Sequence, residues 1–198
     1  MQSNFEKEIH QQPDIIRKLI AEQRPRIEKL ARQLRSYSPR FVSIAARGTS
    51  DHAAIYAKYL FSGINCIPTG LAIPSLHTLY RSHPDLSGGL VIGISQSGQT
   101  PDVRAVMESA QQQGVPTISI TNTKDAPIST ISDHTILMDV DDEKSVAASK
   151  TYTSQLTAVA MLAAYYSEDE QLITDLELLP EYMQAALDQW SAAQAISK

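Results

Sequence analysis

The sequence has a single cysteine, no excess of positive charge and no long apolar run. With Cys66 alone, no intrachain disulfide can form, and a reducing, cytoplasmic setting is the simplest inference. Around it, Ile64-Asn65-Cys66-Ile67-Pro68 reads as a short buried strand carrying an inert thiol. Lys and Arg number 17 against 22 Asp and Glu, a net charge of -5. That balance argues against an unspecific nucleic-acid binder, which needs a basic face. It leaves small anions open, because backbone N–H groups hold phosphate without net positive charge. No stretch approaches the roughly 18 apolar residues of a membrane span. The polar, charged first ten residues lack the order of a signal peptide. No set of Cys, His, Asp and Glu has metal-ligand spacing, and neither an internal repeat nor a low-complexity stretch is found.

What is present is an ordinary globular composition, 42% hydrophobic and 20% charged over 198 residues. That length suits one α/β domain with extra helices. Residues 4–36 carry Ile15, Ile16, Leu19, Ile20, Ile27, Leu30, Ala31 and Leu34 largely at helical spacing. Pro13 is expected to start a helix after a short first one, and Pro25 to kink or break it again. Apolar runs at 41–46, 66–68, 89–94, 115–120 and 134–138 read as strands. Helices are expected over 51–60, with Ser50 as N-cap, over 101–113 up to Gly114, and from Thr151 onward. The segment 74–80 is a further helical candidate. Alternating strands and helices mean βαβ units and a parallel sheet, and strands apolar throughout mean that both faces are covered.

In such a sheet, ligands sit beyond the carboxyl ends of the strands. Two strand ends are rich in hydroxyls and glycine: Gly48-Thr49-Ser50 and Ser95-Gln96-Ser97-Gly98-Gln99-Thr100. The second runs straight into a helix, whose first N–H groups are unpaired and carry partial positive charge. A phosphate monoester fits that start best, and hydroxyls suit sugar oxygens. Physics alone leaves an ordinary helix cap as the alternative. The loop has neither the spaced glycines of a dinucleotide site nor a P-loop Gly-Lys-Ser/Thr.

These two loops resemble those of the SIS (sugar isomerase) domain, above all the isomerase half of glutamine–fructose-6-phosphate aminotransferase and its isomerase and deglycase relatives. Glu143-Lys144-Ser145-Val146-Ala147-Ala148-Ser149-Lys150-Thr151-Tyr152-Thr153-Ser154-Gln155-Leu156-Thr157 resembles the family's E-x-x-V-A-S-T-K-x-[FY]-T-x-Q-L-T stretch. Glu8-Ile9-His10-Gln11-Gln12-Pro13 resembles its E-I-x-x-Q-P start. The resemblance implies an α/β fold, a three-layer αβα sandwich with a mostly parallel, flavodoxin-like five-stranded sheet. An N-terminal helical extension (1–36) and C-terminal linker helices (168–198) would flank the SIS domain (37–167).

The resemblance also implies roles. Ser95, Gln96, Ser97 and Thr100 would hold the phosphate, while Gly48, Thr49 and Ser50 would line the sugar. Val146, Ala147 and Ser149 would close over it. Ala148 stands where the family often has a hydroxyl, and Arg47 where aminotransferases tend to have cysteine; a surface carboxylate is the expected partner of Arg47. Glu143 is a candidate brace for its loop. His52 is a weak candidate acid or base for ring opening. His77 and His83 read as solvated, His10 and Glu6 as helix surface, and Tyr165, Tyr166 and Trp190 as packing residues. The implied ligand is a sugar phosphate such as fructose 6-phosphate or glucosamine 6-phosphate, with no cofactor, nucleic acid or membrane. A homodimer and a second SIS domain in a longer protein are also implied. The catalytic acid and base would then lie outside these residues. The alternative is a non-catalytic module that senses a phosphosugar.

Overall fold

The computed structural model describes residues 3–190. The Ala/Gln-rich end expected to continue the last helix lies outside them. The elements run α1 (Asn4–Tyr37), β1 (Phe41–Ala45), α2 (Thr49–Gly63), β2 (Thr69–Leu71), α3 (Pro74–Thr78), β3 (Gly89–Ile94), α4 (Pro101–Gln112), β4 (Thr117–Thr121), α5 (Pro127–Ile131), β5 (His134–Leu137), α6 (Lys150–Ser167), α7 (Glu170–Glu177) and α8 (Leu179–Leu187). Five strands form one sheet in the order β2-β1-β3-β4-β5. Every pairing is parallel, with Val42 opposite Leu90 and Ile94 opposite Ile120.

The sheet is covered on both faces. One apolar cluster joins Ile44, Ile92 and Ile120 to Ile16, Ile27 and Leu34 of α1, Phe61 of α2, and Leu162 of α6. The other joins Ala45 and Val91 to Val103, Val106 and Met107 of α4 and Ile128 of α5. This explains why β3 is buried at all six positions and β4 at all five. Buried hydroxyls in β4 are satisfied sideways: Thr117 pairs with Asp133, and Ser119 with Thr135. No helix among the described residues is long and apolar enough to cross a membrane.

The structure corrects four local expectations. The first 34-residue helix is continuous, with Pro13 and Pro25 inside it. Each proline removes one helical hydrogen bond, a cost of about 3 kcal/mol in an isolated helix. The apolar stripe runs in register past both, and burying a large side chain is worth about 1.5–3 kcal/mol. Ile16, Leu19, Ile20, Ile27, Leu30 and Leu34 are all buried on that stripe, so packing outweighs the prolines.

Cys66 is exposed and lies outside a strand. It takes a left-handed φ of 55°, where the chain leaves α2, and Ile67 goes inward instead. Ser50 does not cap α2; the N-cap is Gly48, at φ 62° and ψ -134°. Only glycine adopts that conformation cheaply. His77 is buried rather than solvated, edge-on to His83 with ring centroids 5.5 Å apart. Burial, with the charge of His83, pushes the His77 pKa down.

Candidate functional site

The sheet order reverses direction between β1 and β3, because β1 connects to β2 on one side while β3 leads away on the other. At such a switch point the loops beyond the strand ends diverge and leave a crevice. A cleft of about 340 Å³ opens there. It is lined by Thr49 and Ser50 beyond β1, by Ser95, Gln96, Ser97 and Thr100 beyond β3, and by Ser145, Val146 and Ala148 from the segment before α6. Three stretches distant in sequence thus meet at one place.

The loop at residues 95–100 is wired to itself. The hydroxyls of Ser95 and Thr100 are hydrogen-bonded at 3.0 Å, and the Gly98 N–H donates to the Ser95 hydroxyl at 3.1 Å. The Gln99 N–H donates to the Ser97 hydroxyl at 3.3 Å. Gly98 sits at φ +64°, and a Cβ there would lie 2.3 Å from the Ala126 Cβ. Only glycine lets the chain turn this tightly against the α5 entrance. The loop delivers Thr100 as the N-cap of α4, with Pro101 in the first turn and no side-chain cap bond. The first N–H groups of that turn are left without a side-chain partner.

Asp102, in the same turn, would oppose an incoming anion. Arg47 neutralises it, its Nε lying 3.2 Å from the Asp102 carboxylate. The expected carboxylate partner of Arg47 is thus in place, and Arg47 also lines the cleft.

The segment at residues 143–149 has a different construction. The Glu143 carboxylate accepts from the Ser149 N–H at 2.7 Å, the Ser149 hydroxyl at 3.2 Å and the Thr151 hydroxyl. Glu143 is therefore the expected brace. The Glu8 carboxylate, from α1, accepts from the Lys144 N–H, from the Ser145 N–H at 3.2 Å and from the Ser145 hydroxyl. Burial alone would raise the Glu8 pKa, but these hydrogen bonds and the Lys150 charge hold it below the usual carboxylate value. At the tip between these anchors, Val146 is fully exposed.

Of the residues singled out from sequence, Thr49, Ser50, Ser95, Gln96, Ser97, Thr100 and Val146 come together in the cleft. Gly48, Ala147 and Ser149 are not in its lining: Gly48 shapes the turn, the exposed Ala147 carbonyl accepts from the Ser145 hydroxyl, and Ser149 is buried against Glu143. His52 is exposed on α2, outside the lining. Arg47, Ser145, Thr151, Tyr152 and Gln155 line the cleft without having been picked as site residues. The available signal for Gln155 was its place in the third motif. Its amide donates to the Ser50 hydroxyl at 2.9 Å, tying that motif to the first loop.

Comparisons with known proteins agree with this fold. The SIS domain family matches residues 37–165. The glutamine–fructose-6-phosphate aminotransferase (isomerizing) of Aquifex aeolicus is 34% identical over 183 residues, 92% of this chain and 30% of the relative. A Silicibacter pomeroyi DSS-3 structure described as a phosphosugar isomerase superposes with a TM-score of 0.90 at 33% identity, over 93% of this chain and 56% of that one. The C-terminal domain of the Francisella tularensis glucosamine-fructose-6-phosphate aminotransferase shares the fold, with a TM-score of 0.84 at 24% identity. It is matched over 100% of this chain and 59% of its own. The chain therefore spans about a third of the curated relative's length.

Proposed function

This chain belongs to the SIS domain family, and from that premise we propose that its cleft binds a hexose 6-phosphate or its 2-amino derivative. The observation that carries the reading is the self-wired hydroxyl loop at the start of α4, placed at the sheet's switch point. Ser95, Gln96, Ser97 and Thr100 take the phosphate, helped by the positive end of α4. Thr49 and Ser50 face the sugar from one side. Ser145, Val146 and Ala148 close the other, on a segment whose Ala147 and Ser149 stay out of the lining, Ser149 as its anchor on Glu143.

The parent protein is then a hexose-phosphate isomerase, aminotransferase or deglycase in which this domain, residues 37–167, supplies binding. Moving a proton between C1 and C2 needs a free base. Glu143, the one carboxylate lining the cleft among the described residues, already accepts hydrogen bonds on both oxygens. We assign the acid and base to a second SIS domain of the longer protein and not to His52, which stands on the outside of α2. A cytoplasmic homodimer completes the proposal; light scattering tests the dimer.

Calorimetry with fructose 6-phosphate, glucosamine 6-phosphate and inorganic phosphate tests the binding. Saturable binding of a sugar phosphate, tighter than that of inorganic phosphate, is expected. No binding across a panel of phosphorylated sugars would sink the reading. A full-length protein that binds a phosphosugar and turns none over would favour a sensor.

A further inference from the structure

We propose that Glu8, on the N-terminal helix, is the positioning residue for the sugar-facing segment at 143–149, setting affinity for the sugar without touching it. The inference rests on the phosphosugar reading above and adds a residue more than a hundred positions away from any cleft loop it acts on.

Four observations carry it. Glu8 is buried, 4% exposed, although it stands in the polar first turns of α1. Both of its oxygens are used, and all three donors come from two consecutive residues of the segment, Lys144 and Ser145. Ser145 itself lines the cleft, as do Val146 and Ala148 after it. One helical turn along, Gln11 accepts from the Lys150 ammonium at 3.3 Å, so α1 also holds the residue that opens α6.

The segment has little else to order it. Val146 at its tip packs on nothing and is fully exposed. Glu143 fastens the far end, at Ser149 and Thr151. Between those ends, Glu8 alone among the described side chains accepts the amides of Lys144 and Ser145. Holding backbone in one conformation costs conformational entropy at every residue held. Without Glu8, that ordering falls on the ligand, and the apparent affinity drops by the fraction of molecules with the segment in place. The phosphate loop is wired through its own hydroxyls and shares no hydrogen bond with Glu8. Inorganic phosphate, which needs only that loop, is therefore the internal control.

The test is calorimetry of the wild-type chain, Glu8→Gln and Ser145→Ala with glucosamine 6-phosphate, fructose 6-phosphate and inorganic phosphate. Hydrogen exchange at the Lys144 and Ser145 amides is read alongside. Glutamine keeps the size but offers one acceptor oxygen and turns its N–H₂ toward one of the two backbone N–H donors. The expected result is at least tenfold weaker sugar-phosphate binding in Glu8→Gln, with inorganic phosphate changed less than threefold. Both amides should exchange at least tenfold faster in the ligand-free variant. Ser145→Ala should give a smaller loss, and the double variant should lose less than the product of the two.

Equal loss for sugar phosphate and inorganic phosphate would mean a general structural role and overturn the inference. So would unchanged sugar-phosphate affinity, or unchanged amide exchange in Glu8→Gln. A wild-type chain that binds no sugar phosphate would overturn the phosphosugar reading and this inference together. Binding by the wild type with no selective loss in Glu8→Gln would overturn this inference alone.

Discussion

The loop at residues 95–100 and the segment at residues 143–149 face each other across one cleft but are held in place by opposite means. The first is tied by its own hydroxyls, from Ser95 to Thr100 and from Ser97 to Gln99, and is backed by a fully buried strand. The second is tied by carboxylates at its edges, one of them, Glu8, from the far end of the chain. On the proposed reading, a phosphate looks alike on every sugar, so its cradle can be local and rigid. The sugar differs from ligand to ligand, and the segment proposed to meet it hangs from separate anchors that can be retuned one at a time.

The comparison breaks most readily at Gly98. Gly98→Ala places a methyl 2.3 Å from the Ala126 Cβ at a φ of +64°. It should destabilise the fold by roughly 2–4 kcal/mol, since both strain and overpacking act. It should also remove binding of sugar phosphate and inorganic phosphate alike; denaturant titration and calorimetry read the two effects.

Ser97→Ala and Thr100→Ala should each cost about 1–3 kcal/mol of binding, the value of a hydrogen bond to a charged group. If the cradle is local, the loss is the same for inorganic phosphate and for the sugar phosphate. Unchanged affinity in both variants would remove this loop from the site.

Glu143→Gln sharpens the contrast. It exchanges the carboxylate oxygen that accepts from the Thr151 hydroxyl for an amide donor. The expected loss is about 1–2 kcal/mol for the sugar phosphate only. A parallel loss for inorganic phosphate would show that the two sides are not independent.

Acid should loosen the Glu8 anchor while sparing the cradle. A carboxyl whose folded pKa is depressed contributes stability that is complete above its unfolded value and lost as pH falls through the folded one. For Glu8 the unfolded value is 4.5, so the anchor is complete at neutral pH and gives way below 4.5. The facing charge, Lys150, delays that loss. Amide exchange at Ser145, followed from pH 7 downward, should stay flat until that region.

The smallest effect is expected at Arg47. Its pair with Asp102 is largely exposed, and such pairs are worth at most about 1 kcal/mol. Arg47→Ala should shift stability by less than about 0.5 kcal/mol in thermal unfolding.

Particular residues show which parts were legible in advance. The strand of residues 89–94 is apolar at every position but its glycines, and the hydroxyl loop follows it at once; period and punctuation sufficed for both. Gly114 ends α4 as expected, at a φ of +65°. Pro13 and Pro25 misled because a local rule for isolated helices met a buried stripe that outweighs it. Ser50 misled in the same way: a serine before a helix reads as a cap, but the turn needed a glycine conformation two residues earlier, which freed its hydroxyl for Gln155. Cys66 looked buried by its apolar neighbours, yet a left-handed turn pointed it outward.

The sequence by itself determined the parallel sheet, the hydroxyl loop at the start of α4 and the three motifs around the cleft. Each is encoded by neighbours along the chain, as apolar runs, a glycine where the backbone must turn, and hydroxyls beside a helix start. Only the tertiary structure decided that Glu8 and Ser145, 137 positions apart, share a hydrogen bond, and that Gln155 reaches Ser50. A carboxylate in an amphipathic helix has no local mark to separate it from a solvated one. Its partner exists only once the sheet has brought α1 alongside the start of α6.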